Sequence, residues 1–228
     1  MIETLNSIGI SNGMITSAVI TIILCIFSII AGRRMQTVPS GLQNFVEWAI
    51  ESLFTFFEDI MGKKACRRYF PLVATLFIYI LIANYSGLLP ASGHVPGLAA
   101  PTASINCTAA MAVIVFFAVQ IIGIREHQGL RYYKHLLKPF AFLLPLMVLE
   151  EFVRPVSLTL RLYGNVFGEE TVTSSFFDVV PIGLPVIMQV LSVLMGLVQA
   201  LVFALLTGIY IKEALPEPEE MEQLPTHV

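Results

Sequence analysis

Residues 154–170 read RPVSLTLRLYGNVFGEE, a run that places two arginines and two glutamates inside a long apolar region. Apolar residues precede this run over 140–152, interrupted by Glu150 and Glu151, and return over 186–211. A guanidinium at membrane depth costs at least about 2.5–3.5 kcal/mol, and arginine keeps its charge at any accessible pH. Charge held at such a position indicates a functional site, since a plain membrane anchor has no use for an unneutralised arginine.

The composition of the whole chain indicates a membrane protein. Of its 228 residues, 56% are hydrophobic and only 13% are charged, and the mean hydropathy is +0.80. A soluble domain carries roughly 25% charged residues, so part of this surface must face lipid. The sequence has no basic patch with interleaved aromatic residues, so it gives no support for nucleic-acid binding. The cysteines, with Cys25 and Cys107 in or beside apolar runs and Cys66 in a basic loop, indicate neither a disulfide framework nor a metal site, and no cofactor is expected.

Hydropathy predicts an all-α membrane domain with about five membrane-embedded helices, since a crossing needs about 20 apolar residues. An amphipathic segment, apolar and polar at helical period, is expected to lie on the membrane surface, and the two long C-terminal helices carry polar residues. The predicted segments are 14–32, 38–64 (amphipathic), 69–90, 105–124, 139–177 and 182–212, followed by a cytoplasmic tail over 213–228.

The basic residues predict the orientation. With the N-terminus outside and five crossings, 11 of the 13 Lys and Arg residues fall in inside segments, and the outside segments hold none. Loop Lys/Arg bias sets membrane orientation, so we expect the N-terminus outside and the C-terminus in the cytoplasm. The two exceptions are Arg154 and Arg161, which lie within the fourth hydrophobic region.

Helical periodicity sorts the polar residues of the last two helices into stripes. At about 100° per residue, Arg154 and Asn165 fall near Arg161, whereas Glu170 lies on the opposite side. On the last helix, one stripe is shared by Ser192, Gln199 and Tyr210. Buried polar groups in lipid must face water or each other. The two stripes therefore predict the walls of aqueous half-channels.

The run RPVSLTLRLYGNVFGEE resembles the signature of subunit a of F-type ATP synthases, of the prokaryotic type. VQALVFALLTGIYI resembles that family's final helix, and NYSGLLP and PTASIN fit the second crossing and the start of the third. The likeness covers roughly residues 14–212 in order. It implies a stator subunit of the Fo sector in a prokaryotic plasma membrane, which carries protons or sodium past a c-ring and also contacts the peripheral-stalk subunit b. The chain itself is not expected to be an enzyme.

The resemblance also implies roles for individual residues. Arg161 matches the essential arginine that faces the c-ring carboxylate and separates the two half-channels. Further positions match the ion path or its surroundings: Asn165, Glu170, Gln199 and Tyr210.

Three positions depart from the best-known family pattern. Ser192 stands where many relatives have histidine, Glu169 where they have glycine, and Ser104 where they commonly have aspartate. We interpret the first two as a linked exchange, in which an ionisable group lost from one helix is supplied by the other. Glu169 and Ser192 are therefore also predicted in the ion path.

Other interpretations remain open at this point. Arg161 is alternatively an arginine that snorkels or pairs with Glu150 or Glu151, and Asn165 and Gln199 are alternatively interhelical hydrogen-bond partners. Arg154 is expected to snorkel or to pair with one of the same glutamates. A stand-alone secondary transporter or antiporter would show internal repeats, and the two halves show no convincing self-similarity. No GxxxxGK[ST] loop is present, so ATP chemistry is expected in partner subunits.

Overall fold

A computed structural model describes residues 12–33, 41–88, 100–127, 144–179 and 184–216. These described residues form helices and short connections, without a β-strand. The all-α prediction is confirmed. The basic loop beyond residue 127, the turn near 181 and the tail from 217 lie outside the described residues. In chain order the helices are α1 (Asn12–Arg33), α2 (Leu42–Met61), α3 (Lys63–Gly87), a 3-10 turn (Pro101–Ala103), α4 (Ile105–Glu126), α5 (Leu144–Val179) and α6 (Leu184–Glu213).

Helix α1 contacts the rest of the chain mainly through its first half. Thr16 and Ile20 are buried, and the hydroxyls of Ser17 and Tyr79 on α3 lie 2.6 Å apart in a hydrogen bond. From Ile22 onward its large apolar side chains are exposed, except for the partly buried Leu24. Such a surface is stable only in contact with lipid or with other apolar helices.

Helix α2 is amphipathic, but it is not only a surface helix. Its C-terminal half enters the core, where Phe57 is fully buried and Met61 nearly so, against α3 and α6. Its N-terminal half keeps Phe45 and Trp48 more than 60% exposed. The chain then turns at Gly62, whose φ of 82° favours glycine, directly into α3.

Helix α3 begins in the basic run, earlier than its apolar residues predict. It starts at Lys63. The prediction that Cys66 lies in a basic loop is therefore wrong, because Cys66 is fully buried inside a helix. Lysine, alanine and arginine are good helix formers, which explains why the helix extends into this run. The Cys66 thiol donates to the Phe54 carbonyl of α2 at 3.7 Å.

Helices α5 and α6 are the longest, with 36 and 30 residues. Helix α5 continues through Pro155, and the Thr159 hydroxyl donates to the Pro155 carbonyl at 2.8 Å. Among the described helices, α1, α3, α4 and α6 are long and apolar enough to cross a membrane. Helix α5 is longer than any of these and carries the charged residues, so the prediction of about five membrane helices is consistent with the structure.

Candidate functional site

Arg161 lies about midway along α5 and points away from the protein core. The residues that α5 buries are Leu158, Leu162 and Val166, a spacing of four that marks its inner face. Arg161 immediately precedes one of them and is exposed. The helix therefore uses its apolar stripe to pack and holds the guanidinium outside the bundle.

An exposed apolar surface lies beside Arg161. The large apolar side chains that α5 exposes follow its length and form what we call the open face of α5: Leu149, Phe152, Val153, Val156, Leu160 and Phe167. Helix α6 adds exposed residues of the same kind, including Ile187, Val190 and Leu194. Arg161 lies to one side of this face, on the side of Arg154 and Asn165, so a permanent cation borders an apolar surface of membrane length.

Among the side chains that the structure describes, no carboxylate pairs with Arg161. Glu150 forms an ion pair with Arg154 instead, and Glu151 accepts a hydrogen bond from Gln120 of α4. Glu151 is ten residues from Arg161, which is about 15 Å along a helix. That is beyond the reach of the two side chains. The interpretation of Arg161 as the partner of Glu150 or Glu151 is therefore wrong.

Asn165 and Gln199 meet across the α5–α6 interface. The Asn165 Nδ2 donates to the Gln199 Oε1 at 3.1 Å, one turn of α5 from Arg161. Gln199 is only 4% exposed, and its Nε2 is buried with no hydrogen-bond partner among the described residues. The pair is thus an interhelical contact that also leaves a donor available. A buried donor without a partner is costly, so its retention calls for a functional reason.

The remaining predicted site residues lie on both sides of this pair. Ser192 is buried on α6, two turns from Gln199 toward the start of that helix. Glu169 is half-buried on α5, one turn beyond Asn165, and Glu170 follows it in the same helix, with a side chain outside the described part. The structure brings Asn165 and Gln199 into contact.

Tyr210 belongs to a charged cluster at the other end of the interface. Its ring centroid lies 4.9 Å from the Arg154 guanidinium carbon. Arg154 also forms ion pairs with Glu150 at 3.1 Å and with Glu213 at 2.9 Å. The expectation that Arg154 pairs with a neighbouring glutamate is confirmed for Glu150, and Glu213 is an unexpected second partner.

Sequence reasoning missed the contacts that hold α3 against α6. The Asn84 Nδ2 donates to the Gly196 carbonyl at 3.0 Å, and the Tyr85 hydroxyl donates to the Val193 carbonyl at 3.3 Å. A Cβ on Gly196 would lie 3.3 Å from the Cβ of Asn84, so glycine permits this close approach. The signal available in the sequence was the isolated asparagine within an apolar segment.

Comparison with known proteins decides the family. The family model described as ATP synthase A chain matches residues 14–212. The chain belongs to the ATP synthase A chain family. Among curated members, the ATP synthase subunit a of Moorella thermoacetica is 45% identical over 208 residues, covering 91% of this chain and 92% of the relative. That of Trichlorobacter lovleyi is 41% identical over 211 residues, covering 91% and 88%, and that of Geobacter sulfurreducens is 43% identical over 202 residues, covering 87% and 85%.

The match to the ATP synthase A chain family spans the whole candidate site. Helix α5, all of α6 except its last residue and every site residue predicted from the sequence fall within residues 14–212. The predicted resemblance to subunit a is therefore confirmed at the level of the family. This member of the ATP synthase A chain family is an all-helical membrane protein.

Proposed function

We propose that this chain is the ion-translocating stator subunit of the Fo sector of an F-type ATP synthase. Family membership supports the assignment to this complex, and one structural observation carries the mechanism. Arg161 is exposed midway along a membrane-length helix, beside an apolar face, without a carboxylate partner among the described side chains. An unpaired cation in such a place needs a negative partner from another chain.

In the proposed mechanism, that partner is a carboxylate of the oligomeric c-ring. Arginine cannot release its proton, so Arg161 attracts the passing carboxylate in its ionised form without carrying a proton itself. A nearby cation favours the charged form of a carboxyl group, and the ion that it carried is released. The same fixed charge blocks direct leakage between the two half-channels.

The polar residues of α5 and α6 are proposed to line the ion path. Glu170 and Glu169 are assigned to the outside half-channel, with Ser192 on the neighbouring helix. Asn165 and Gln199 lie closer to Arg161, and the unpartnered donor of Gln199 is available to the approaching carboxylate or its ion. Tyr210 lies toward the inside end.

The energy for rotation comes from the membrane potential and the ion gradient. Each charge that crosses 100 mV contributes about 2.3 kcal/mol, so several ions are needed for each ATP. The chain is proposed to act with the c-ring, the peripheral-stalk subunit b and the catalytic sector, and to have no catalytic activity of its own. We place it in a prokaryotic plasma membrane with the N-terminus outside and the C-terminus in the cytoplasm, and it carries either protons or sodium.

The test replaces Arg161 in the assembled complex. Arg161→Ala and Arg161→Lys are each expressed with the remaining subunits, and ATP-driven uptake of H⁺ and of Na⁺ is measured in inverted membrane vesicles. The proposal expects loss of pumping with the complex still assembled. Arg67→Ala is the matched control, because Arg67 is an exposed arginine near the start of α3 and belongs to neither α5 nor α6. Normal pumping by both Arg161 variants would remove the proposal.

A further inference from the structure

The contacts between α5 and α6 occur at two levels that match on both helices. Asn165 meets Gln199 at one level, and Arg154 meets Tyr210 at the other. The two levels are eleven residues apart on α5 and eleven residues apart on α6, which is three turns or about 16.5 Å. Antiparallel helices keep this correspondence only in a single register. Arg161 lies between the two levels, so its distance from Gln199 and its distance from Tyr210 both depend on that register.

The two levels differ in strength. At the Asn165 level there is one hydrogen bond between neutral amides, and such a bond stabilises a helix pair in a membrane only weakly. At the Arg154 level a single guanidinium contacts the Tyr210 ring and two carboxylates. Its planar fork allows these contacts together in one geometry, and its side chain is only 22% exposed. The stronger constraint on the helix pair is therefore at Arg154.

We propose that Arg154 is a positioning residue, which fixes the register of α5 against α6 through Tyr210 and Glu213 and so holds Arg161 in place for ion transfer. The proposal rests on the function proposed above for Arg161. A slide of one helix past its neighbour by one turn is a shift of about 5.4 Å. One such step would separate Asn165 from Gln199 and would move Arg161 past its α6 neighbours, which opens a route for leakage between half-channels.

Arg154 differs from Arg161 in a way that separates their roles. The Arg154 charge is already compensated by Glu150 and Glu213, so a carboxylate from another chain would have to displace them. Arg161 has no such partner among the described side chains. The two arginines are seven residues apart on one side of α5, about 10.5 Å. In the proposal, Arg154 therefore positions the helix and Arg161 takes part in ion transfer.

The two carboxylates on Arg154 supply a matched pair of variants. Glu213 and Glu150 contact the same guanidinium nitrogen at 2.9 and 3.1 Å, and their side chains are 50% and 62% exposed. Only Glu213 belongs to α6, whereas Glu150 lies on α5 four residues before Arg154. Of the two glutamates, only Glu213 can serve a register role. A role in simply neutralising the arginine depends on both.

The experiment uses the complete complex in inverted vesicles. ATP-driven ion uptake is measured first, and passive ion permeability is then measured in the same vesicles without ATP, with the catalytic sector still bound. We expect Arg154→Met to raise passive permeability roughly tenfold and Glu213→Gln roughly threefold, in line with loss of an ion pair and a cation–π contact. Glu150→Gln is expected to leave permeability and pumping at the level of the unmodified chain.

Further variants make each outcome decisive. Arg154→Lys keeps a cation for Glu213 but loses the planar contact with Tyr210, so it should restore part of the coupling. Arg68→Met is the control for loss of an interhelical ion pair, because Arg68 pairs with Glu126 between α3 and α4. It should leave permeability unchanged.

Equal effects of Glu213→Gln and Glu150→Gln would overturn the proposal, as would normal coupling in an assembled Arg154→Met complex. If Arg154→Met does not assemble, the comparison of the two glutamates decides. Arg161→Ala in the same vesicles separates the two proposals. If it abolishes pumping while the Arg154 and Glu213 variants behave normally, only the register role fails. If Arg161→Ala pumps normally, the proposed function itself fails.

Discussion

Replacing Gln199 by leucine tests whether its burial serves stability or function. The side chain is 4% exposed, and its Oε1 accepts a hydrogen bond of 3.1 Å from Asn165. Its Nε2 is buried with no partner among the described residues. Leucine has a similar volume and introduces no polar atom.

The free energies of the hydrogen bond that is lost and of the unpaired donor that is removed favour a stable Gln199→Leu variant. Gln199→Leu loses one membrane hydrogen bond, about 0.6 kcal/mol and at most about 1.7, but it also removes a buried unpaired donor that costs about 1–3 kcal/mol. Stability should stay the same or rise by about 1 kcal/mol. Asn165→Leu loses the same bond and leaves the Gln199 oxygen unpaired as well, so it should destabilise the chain by about 1–3 kcal/mol.

The assay uses Cys66 as an internal reporter in the purified complex. This thiol is fully buried between α2 and α3, so a maleimide labels it only after the helices separate. Labelling is followed by mass spectrometry during a temperature ramp, and ion pumping is measured on the same variants. We expect Gln199→Leu to keep or raise the midpoint but to impair pumping, and Asn165→Leu to lower the midpoint. A lower midpoint for Gln199→Leu than for Asn165→Leu would refute this reasoning.

Three further outcomes are expected with the same labelling assay. Phe57→Ala removes a fully buried ring and should cost about 3–5 kcal/mol, whereas Phe45→Ala, at a site 62% exposed, should leave Cys66 labelling unchanged; equal effects would contradict the packing of α2. Gly208→Val brings a Cβ within 3.5 Å of Phe57 and should cost about 1–3 kcal/mol, so an unchanged midpoint would count against this contact. Asn84→Leu loses its bond to the α6 backbone, about 0.6 kcal/mol, but it also removes a buried Oδ1 that has no partner among the described residues and costs about 1–3 kcal/mol, so the midpoint should stay the same or rise, and a clearly lower midpoint would contradict this reasoning.

Periodicity predicted which residues of the site share a face, because it depends only on the regular geometry of a helix. Asn165 and Gln199 were each assigned to a polar stripe from spacing alone, and the structure brings them into contact. The partners of Arg154 were predicted only in part. Glu150 lies one turn away on the same helix, whereas Glu213 is distant in sequence and had been assigned to a solvated tail.

Hydropathy located the membrane helices but not their packing. An amphipathic pattern shows that α2 has an apolar side, and it does not distinguish a side that faces lipid from one that faces α3 and α6. The burial of Phe57 could therefore not be predicted. Apolarity also misses helical residues that are charged, which is why the start of α3 at Lys63 and the position of Cys66 were predicted incorrectly.

The length of α5 has a consequence for the depth of Arg161. A helix of 36 residues is about 54 Å long, whereas the hydrocarbon core of a bilayer is about 30 Å thick. The helix must lean strongly or project beyond the core at its ends. A rod that leans about its centre moves its ends most and its centre least. Arg161 lies near that pivot, so changes in bilayer thickness or in helix inclination displace it less than any residue near the ends of α5.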